Sequence, residues 1–546
     1  MPKKRSPAPV QPAASAPPGR PELWIFSLSL TLRLAHLFLY KDDFWLRTPL
    51  LDDNVFFAWS ETIMKEGWLA KSLGVFHLNP CYPYLLALLG KLVGRGPVLV
   101  FSLQHVLGAF APVLCFRLSD RLFGRRAAWL AAGLAAFYGP AFFFESRYLG
   151  ELFIYVLNLG FLCALLEAEE APTPEPWFTA AGLALGLSAV FRPTGLILLP
   201  LAAAWGAWAL RGRRLALSRS AFLFAVMVWL PLLPFQWRNH KVDPASGWGL
   251  TTASGGVNLF MGNNPEADGL NKPAAFVHGG PEQQYEDYTR EAERLKGRKM
   301  SAKEVDRYWS SRARQWFSAR PAEAWALVWR KAGYFWNHRE PPDNFFPSIF
   351  QKYCALGGVP LIGWALIAPA GLWGALLAGR RSGAWLLRGY LLAYLAVNAL
   401  FFVLSRYRFP AAAALIPFSA LALARLSEAA QEKAWGRAAL LALLLAPCLW
   451  LTRLPLIGEE DLAVSHYSMA VIYANQGWQE KAVEQYHEAI KADASFAAAY
   501  LNLGVLQAQR GQLPESVWAL EKAATLDQDP ERVKQIRRSL ELIKKR

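Results

Sequence analysis

The sequence predicts an all-α protein that consists of a polytopic membrane region followed by an α-helical repeat domain. Of its 546 residues, 54% are hydrophobic and 18% are charged, whereas soluble domains contain about 25% charged residues. Between residues 22 and 454, apolar stretches long enough to cross a bilayer follow one another. Residues 455–546 are more polar and repeat a pattern with a period of 34 residues. The composition therefore indicates a membrane protein.

The N-terminal segment 1–21 is basic and rich in Pro and Ala. Such a composition cannot bury enough apolar surface to fold, so we expect a disordered cytoplasmic tail. The net charge of +16 does not indicate nucleic-acid binding, because the Lys and Arg residues lie in short loops between apolar stretches. The five Cys residues are scattered along the chain, a pattern that predicts neither a disulfide framework nor a zinc site.

About eleven stretches meet the length criterion for a transmembrane helix. They are 23–40, 97–118, 127–144, 148–167, 177–191, 194–210, 219–236, 355–378, 384–404, 410–426 and 437–454. The loops 119–126, 211–219, 379–383 and 427–437 carry Arg or Lys and fall on the side of the basic tail, whereas loop 167–176 is acidic. Since cytoplasmic loops are enriched in Lys and Arg, this side is predicted to be cytoplasmic.

The predicted orientation places three segments outside the cytoplasm: the first external loop 41–96, the large external loop 237–352 and the repeats 455–546. We therefore expect a multi-pass protein of the cytoplasmic (inner) membrane, with extracytoplasmic loops and repeats. Short helices are predicted at 54–67 and 81–93 within the first of these loops.

In the C-terminal domain, Gly477 and Ala489 recur as Gly511 and Ala523. This spacing resembles the tetratricopeptide repeat, a helix–turn–helix unit of 34 residues. Stacked helical repeats form extended binding surfaces, so we expect this domain to bind a peptide or protein. Two repeats are fewer than the three that independent stability requires. We therefore expect contacts with the membrane domain or with a partner to stabilise the pair.

Two adjacent carboxylates, Asp52 and Asp53, follow the first apolar stretch. Adjacent carboxylates repel each other, and holding them near a bilayer costs desolvation energy. One interpretation is a general base for an acceptor hydroxyl, which requires a carboxylate within hydrogen-bond reach of the proton. The other is that Asp53 caps the helix predicted at 54–67, because Asp is a favoured N-cap residue.

Charged residues at the outer ends of the predicted spans are further candidates. Arg147 and Glu151 are four residues apart, which predicts a pair on one helix face, and Arg192 lies between two spans. Arg406 and Arg408 flank a tyrosine on the outer side, where Arg is not expected from the loop bias. Because guanidinium groups bind phosphate bidentately, we favour a phosphate site there over contact with lipid headgroups.

Two loop motifs carry the remaining candidates for substrate binding. Tyr82 lies in NPCYPYLLAL, where the prolines begin a helix and either shape a site or place an interfacial tyrosine. His338 and Glu340 precede a di-proline in FWNHREPPDN, although a solvated loop explains each of them more simply. A metal site would need more converging ligands, so no metal ligand is predicted.

Together, these motifs resemble the integral-membrane glycosyltransferases that use polyprenyl-phosphate sugars, the GT-C class. Within that class they resemble the protein O-mannosyltransferase and aminoarabinose transferase group (glycosyltransferase family 39-like). The resemblance rests on the acid pair, on GLALGLSAVFRPTGLILLPL at 182–201, on GGVNLFMGNNPEADG at 255–269 and on SRYRFP at 405–410. This group usually has Asp followed by Glu in its first external loop. That pattern maps onto Asp52, and Asp53 is a departure from it.

The resemblance implies a GT-C fold and a direct sugar transfer. Asp52 would take the proton of an acceptor hydroxyl, on a protein or a glycolipid, and the oxygen would displace the lipid phosphate with inversion. Arg406 and Arg408, with Arg192, would stabilise the departing phosphate. The resemblance thus implies a lipid-linked sugar donor and no nucleotide site, and a divalent metal is possible but not indicated by the sequence.

Two other functions are open at this stage. A transporter or flippase of lipid-linked sugars would place ionisable groups near the bilayer midplane in broken helices, whereas here they cluster at span ends and in external loops. A repeat-bearing scaffold is a poor primary role for a chain with about eleven spans. The repeats nevertheless fit the recruitment of a protein acceptor.

Overall fold

The computed structural model describes residues 20–277, 281–341, 343, 345–379 and 383–544. The predicted N-terminal tail, apart from its last two residues, and the arginines expected in loop 379–383 lie outside the described residues. Within the described residues, the regular secondary structure consists of helices and one antiparallel pair of short strands, which confirms the all-α class. It forms two compact units that divide after Ile457.

The compact unit that ends at Ile457 is called the membrane unit. Its first half is a series of helices that ends at the large external loop. They are α1 (Pro21–Tyr40), α2 (Phe44–Arg47), α3 (Asp52–Glu66), α4 (Cys81–Leu92), α5 (Pro97–Gly108), α6 (Phe110–Phe123), α7 (Arg125–Ala136), α8 (Gly139–Glu145), α9 (Glu151–Glu170), α10 (Glu175–Phe191), α11 (Leu199–Ala209), α12 (Arg214–Trp229) and α13 (Leu233–Val242). Short 3-10 turns occupy Lys71–Leu73, Pro193–Leu198 and Pro244–Ser246.

The second half of this unit contains the large external loop and the last apolar helices. Its elements are α14 (Gly255–Gly262), α15 (Pro281–Lys296), α16 (Ala302–Ala319), α17 (Pro321–Trp336), α18 (Pro347–Tyr353), strands β1 (Ala355–Leu356) and β2 (Val359–Pro360), α19 (Trp364–Leu377), α20 (Ala384–Leu400), α21 (Ser405–Arg408), α22 (Ala412–Gln431) and α23 (Trp435–Thr452). A 3-10 turn, Phe409–Ala411, joins α21 to α22.

Five segments of the described chain are long and apolar enough to cross a membrane as helices. They are Pro21–Tyr40, Pro97–Phe123, Glu151–Glu170, Ser405–Gln431 and Trp435–Thr452. A sixth arises if α12 and α13, which meet at 42°, form one broken span. Shorter apolar helices occupy Cys81–Leu92, Pro193–Ala209, Trp364–Leu377 and Ala384–Leu400. These helices support a membrane protein, but the predicted count of about eleven spans is not confirmed.

Two predicted spans differ from the structure because turns interrupt a continuous apolar run. The span at 127–144 divides into α7 and α8, since Pro140 begins a new helix. The span at 355–378 begins instead with the β1–β2 hairpin, in which Gly357 and Gly358 have positive φ angles of 56° and 85°. The helix proper then starts at Trp364. Hydropathy alone does not detect either turn.

The core of the membrane unit is built where small residues let helices approach closely. α22 is buried along its whole first half, residues 412–422, and packs on α19, α7 and α6. On α19, a Cβ added at Gly374 would lie 1.8 Å from the carbonyl oxygen of Phe418 on α22. This contact is therefore open only to glycine, and it fixes how closely α19 and α22 pack.

The large external loop is folded as a helical subassembly. Val257 of α14 packs with Tyr288 of α15 and with Val305 and Trp309 of α16. The helix α16 begins with a capping box in which Ser301 and Glu304 exchange hydrogen bonds. This subassembly covers the region in which the candidate residues meet.

The C-terminal unit consists of antiparallel helix pairs. Its helices are α24 (Leu462–Asn475), α25 (Gln479–Ala492), α26 (Ala497–Gln509), α27 (Leu513–Leu526) and α28 (Pro530–Lys544). Gly477 and Gly511 occupy the turns with positive φ angles of 80° and 76°, which explains why glycine recurs at this spacing. The last helix buries Ile536 and Leu540 against Leu520 of α27.

Candidate active site

The acid pair occupies the first turn of α3. The helix begins at Asp52, and Leu51 is the N-cap with a φ of 52° and no side-chain cap bond. The interpretation that Asp53 caps this helix is therefore wrong, because Asp53 already lies inside it. Both carboxylates are buried, with 5% and 2% exposure, and a helix N-terminus favours negative charge there.

Asp52 pairs with Arg406, which lies 354 residues later in the sequence. Arg406 Nη1 donates to Asp52 Oδ2 at 2.5 Å, and its Nε lies 3.2 Å from Asp343 Oδ1. The backbone N–H of Arg406 also donates to Asp343 Oδ2 at 3.0 Å. Asp343 was missed in the sequence because it stands in a loop with no recognisable spacing to Asp52.

Asp53 pairs with Arg147, which also donates to the carbonyl oxygen of Trp45 at 2.6 Å. Burial raises the pKa of Asp53 from 3.8 to about 6, against the opposing effect of Arg147. The predicted pair between Arg147 and Glu151 on one helix face is wrong. Arg147 lies in the turn before α9, whereas Glu151 is its first residue, so their side chains are not stacked along a helix.

Glu151 instead pairs with Arg192, the residue that follows α10. The Arg192 guanidinium lies 4.4 Å from the ring centre of Tyr407 and donates to the carbonyl oxygen of Arg406 at 3.4 Å. Three carboxylate–arginine pairs therefore meet in one place: Asp52–Arg406, Asp53–Arg147 and Glu151–Arg192. Each joins segments that are distant in the sequence, which indicates a site and not isolated surface pairs.

A small cavity of about 110 Å³ opens at these pairs. It is lined by Asp52, Glu151, Arg192, Arg406 and Tyr82, among others. The hydroxyl of Tyr82 donates to Gln104 Oε1 at 2.6 Å, so this tyrosine is anchored within the protein. The structure thus brings together five of the residues that the sequence singled out.

A larger cavity of about 570 Å³ adjoins the small one, because both are lined by Arg192, Tyr407 and His77. Much of its remaining wall is apolar, formed by Val75, Leu78, Ile154, Ile197, Val397, Leu400, Phe401 and Phe402. A charged pocket next to a larger, mainly apolar cavity suits an amphiphilic ligand whose polar end meets the ion pairs.

Arg408, Glu340 and His338 are not among the residues that line these two cavities. Arg408 is fully buried, pairs with Glu340 at 2.9 Å and donates to backbone carbonyls of the segment 334–339. His338 lies 3.1 Å from the carbonyl oxygen of Thr452. Arg408 and Glu340 thus hold the loop that carries Asp343 against α21, and His338 ties the same loop to the end of α23.

The described part of the chain contains no group of three or more His, Cys, Asp or Glu side chains that could hold a metal ion.

Two family models match the chain. Residues 77–237 match the family of dolichyl-phosphate-mannose-protein mannosyltransferases. Residues 470–511 match the tetratricopeptide repeat. These matches confirm the two resemblances predicted from the motifs. No curated protein matches the chain.

Solved membrane glycosyltransferases are similar to the chain at low identity. The oligosaccharyltransferase AglB from Archaeoglobus fulgidus, solved with an inhibitory peptide and a dolichol-phosphate, is 16% identical with a TM-score of 0.42. The similarity covers 83% of this chain and 58% of the archaeal chain, so this protein spans little more than half of that length. ArnT from Cupriavidus metallidurans, bound to undecaprenyl phosphate, is 14% identical over 92% of this chain and 75% of its own, with a TM-score of 0.44.

Proposed function

We propose that this protein is a membrane glycosyltransferase that moves a sugar from a polyprenyl-phosphate donor to an acceptor hydroxyl, with inversion at the anomeric carbon. The observation that carries the proposal is that Asp52, Arg406 and Arg192 line one small cavity, which shares lining residues with a larger and mainly apolar one. A base, two phosphate-binding cations and a groove for a lipid chain are thus neighbours. The match of residues 77–237 to a mannosyltransferase family supports the same reaction class.

Asp52 is the proposed general base. Its Oδ2 accepts from Arg406, and no described residue donates a hydrogen bond to its Oδ1, so that oxygen is open to an acceptor hydroxyl. A base must lie within hydrogen-bond reach of the proton that it removes. Arg406 fixes the carboxylate towards the cavity, and Asp343 fixes Arg406 in turn.

The displacement proceeds in one step. The acceptor oxygen forms a bond to the anomeric carbon while the bond from that carbon to the phosphate oxygen breaks, and the acceptor proton passes to Asp52. Negative charge grows on the leaving phosphate, where Arg192 and Arg406 stabilise it through charge-assisted hydrogen bonds. Attack from the face opposite the phosphate inverts the configuration. Holding both substrates in line contributes the remaining acceleration.

Asp53 and Arg408 are assigned supporting roles in this proposal. Asp53 pairs with Arg147 behind Asp52 and orients the first turn of α3. Arg408 binds Glu340 and backbone carbonyls of the loop that carries Asp343, and unlike Arg192 and Arg406 it lines neither of the two cavities. The sequence led us to expect that Arg408 binds the phosphate together with Arg192 and Arg406. In this proposal, phosphate binding is assigned to Arg192 and Arg406 alone.

The site is proposed to face the outside of the cytoplasmic membrane, as the basic loops at the opposite helix ends favour. The acceptor is proposed to be a protein or a glycolipid, and the C-terminal repeats would present a protein acceptor. A lipid-linked donor is made outside this protein and needs no nucleotide site here.

The proposal is tested by replacing the base. Asp52→Asn should lower sugar transfer from labelled polyprenyl-phosphate sugars by about 100- to 10,000-fold, the usual contribution of a general base. Asp42→Asn is the matched control, because Asp42 is an exposed acid of the same loop whose ion-pair partner among the described residues is the exposed Arg47. Transfer is measured with purified protein, which separates an enzyme from a flippase that moves the donor without consuming it. Full activity of Asp52→Asn would refute the assignment.

A further inference from the structure

His77 is fixed rigidly at the point where the two cavities adjoin. Its ring stacks on Tyr285 with centroids 4.8 Å apart and planes at 8°, and it meets Trp59 edge-on at 5.1 Å. Its carbonyl oxygen accepts from Ser254 Oγ at 2.6 Å. The imidazole is therefore packed between two aromatic side chains, although no step of the proposed mechanism uses it.

One ring nitrogen of His77 is left unpaired within the described part of the chain. Nε2 is buried and has no hydrogen-bond partner among the described residues. Leaving a buried polar atom without a partner is unfavourable, and such atoms in native proteins need an explanation. Because His77 lines both cavities, a bound ligand can supply the missing partner.

The chemistry of that ligand follows from the charge of the ring. Burial lowers the pKa of His77 to about 4, although Asp52 opposes this effect. The imidazole is therefore neutral near pH 7, with one nitrogen that donates and one that accepts. A neutral ring matches a hydroxyl group better than a phosphate, which prefers the guanidinium groups of Arg192 and Arg406.

Two amides next to His77 have the same character. Asn79 and Asn258 also line both cavities, and no described residue is hydrogen-bonded to either side chain. The charged residues of the small cavity, in contrast, are paired with one another. The junction of the cavities thus offers uncharged hydrogen-bonding groups between the base on one side and the apolar cavity on the other.

We propose that His77 is a specificity-determining residue that hydrogen-bonds a hydroxyl of the transferred sugar through Nε2, with Asn79 and Asn258 binding neighbouring hydroxyls. This inference rests on the proposed function, because it places the lipid in the large cavity and the reacting carbon near Asp52. The sugar then lies at the junction, and the site selects a sugar whose groups there are hydroxyls.

The first test measures binding and does not depend on turnover. His77→Phe keeps an aromatic ring in the stack and removes the ring nitrogens. We expect it to weaken the binding of polyprenyl-phosphate glucose, mannose or galactose, whichever binds most tightly to the wild type, by about 10- to 100-fold. Its affinity for sugar-free polyprenyl phosphate should stay within twofold of the wild-type value, since His77 contacts only the sugar.

The matched control is His240→Phe. His240 also stacks on an aromatic ring, Trp248 at 5.2 Å, and its Nδ1 is also buried without a partner among the described residues, but it is not among the residues that line the two cavities. Its replacement should leave both affinities unchanged. His77→Asn, which retains hydrogen-bonding groups, should recover part of the lost affinity if the protein is folded and the contact is polar.

A series of monodeoxy sugar donors identifies the contacted hydroxyl. Removing that hydroxyl should weaken wild-type binding as much as His77→Phe does, and combining both changes should cost nothing more. Equal affinities of wild type and His77→Phe, or additive losses for every deoxy donor, would overturn the proposal. Asp52→Asn is measured for transfer in parallel, so that loss of the proposed base and loss of the sugar contact are recognised separately.

Discussion

At the residue scale, Asp53 gives the site a dependence on pH. Its pKa is raised from 3.8 to about 6, so it is charged above pH 6 and takes up a proton as the pH falls through that value. Protonation removes its ion pair with Arg147, which holds the first turn of α3. We expect sugar transfer to decline with a midpoint near pH 6 in a rate profile from pH 5 to 8.

Asp53→Asn separates this effect from other titrations. The amide keeps the size of the side chain but is uncharged at every pH, so the variant should be less active than the wild type at pH 7.5 and lack the step near pH 6. Asp42→Asn should show the wild-type profile. An unchanged midpoint in Asp53→Asn would assign the step to another group.

The sequence identified most charged residues of the site but not how they pair. Arg147 and Glu151 have the spacing of a helical pair. Because a turn lies between them, Arg147 pairs with Asp53 and Glu151 pairs with Arg192. Pairing across the fold depends on where helices pack, which residue spacing does not record. Likewise, His77 gave no signal in the sequence, because only the cavity reveals that its Nε2 lacks a partner.

At the element scale, a buried ion cluster ties three helices together behind the site. Glu145, at the end of α8, lies 2.9 Å from Arg33 of α1 and 2.7 Å from His105 of α5. The neighbouring Gln104 donates to the carbonyl oxygens of Glu145 and Arg147 at 2.8 and 3.0 Å. The cluster therefore fixes the backbone from which Arg147 reaches Asp53.

Gly108 makes room for this cluster. A Cβ added there would lie 2.1 Å from Glu145 Oε1, so Gly108→Ala should force the carboxylate away from its partners. We expect a loss of about 1–3 kcal/mol, typical of overpacking a tight core, measured by thermal unfolding in detergent. Gly160→Ala is the control, because Gly160 of α9 has no atom within 4 Å of an added Cβ and alanine favours helix. Equal stability of Gly108→Ala and wild type would contradict the prediction.

Hydropathy predicted where the helices lie along the sequence better than how deeply each helix is buried. The apolar runs locate α1, α9 and α23 to within a few residues. However, the Ser405–Gln431 segment is 83% buried in its most apolar window, whereas Trp435–Thr452 is only 11% buried. In the sequence the two segments are similarly apolar, with mean hydropathies of 1.6 and 1.5. Hydropathy does not distinguish a lipid-facing helix from one enclosed by other helices.

At the scale of the whole molecule, the chain joins a membrane unit to a repeat unit at a defined position. Leu456 and Ile457 still belong to the membrane unit: Ile457 packs with Tyr334 and Val403, and its carbonyl oxygen accepts from Arg339 at 3.0 Å. The period of 34 residues predicted the repeats, but these contacts within the membrane unit gave no sequence signal. A truncation that leaves the membrane unit intact must therefore end after Ile457.

Removing residues 458–546 separates chemistry from acceptor recruitment. The truncated protein retains Asp52, Arg192 and Arg406, so we expect it to bind the donor and to release sugar from it to water at the wild-type rate. Transfer to protein acceptors should fall at least tenfold, because the repeats would no longer raise the local acceptor concentration. Both rates are measured with one labelled donor, and the donor-hydrolysis rate serves as the control for folding. Unchanged transfer to protein would show that the membrane unit recognises the acceptor itself, and the repeats would then need a different partner.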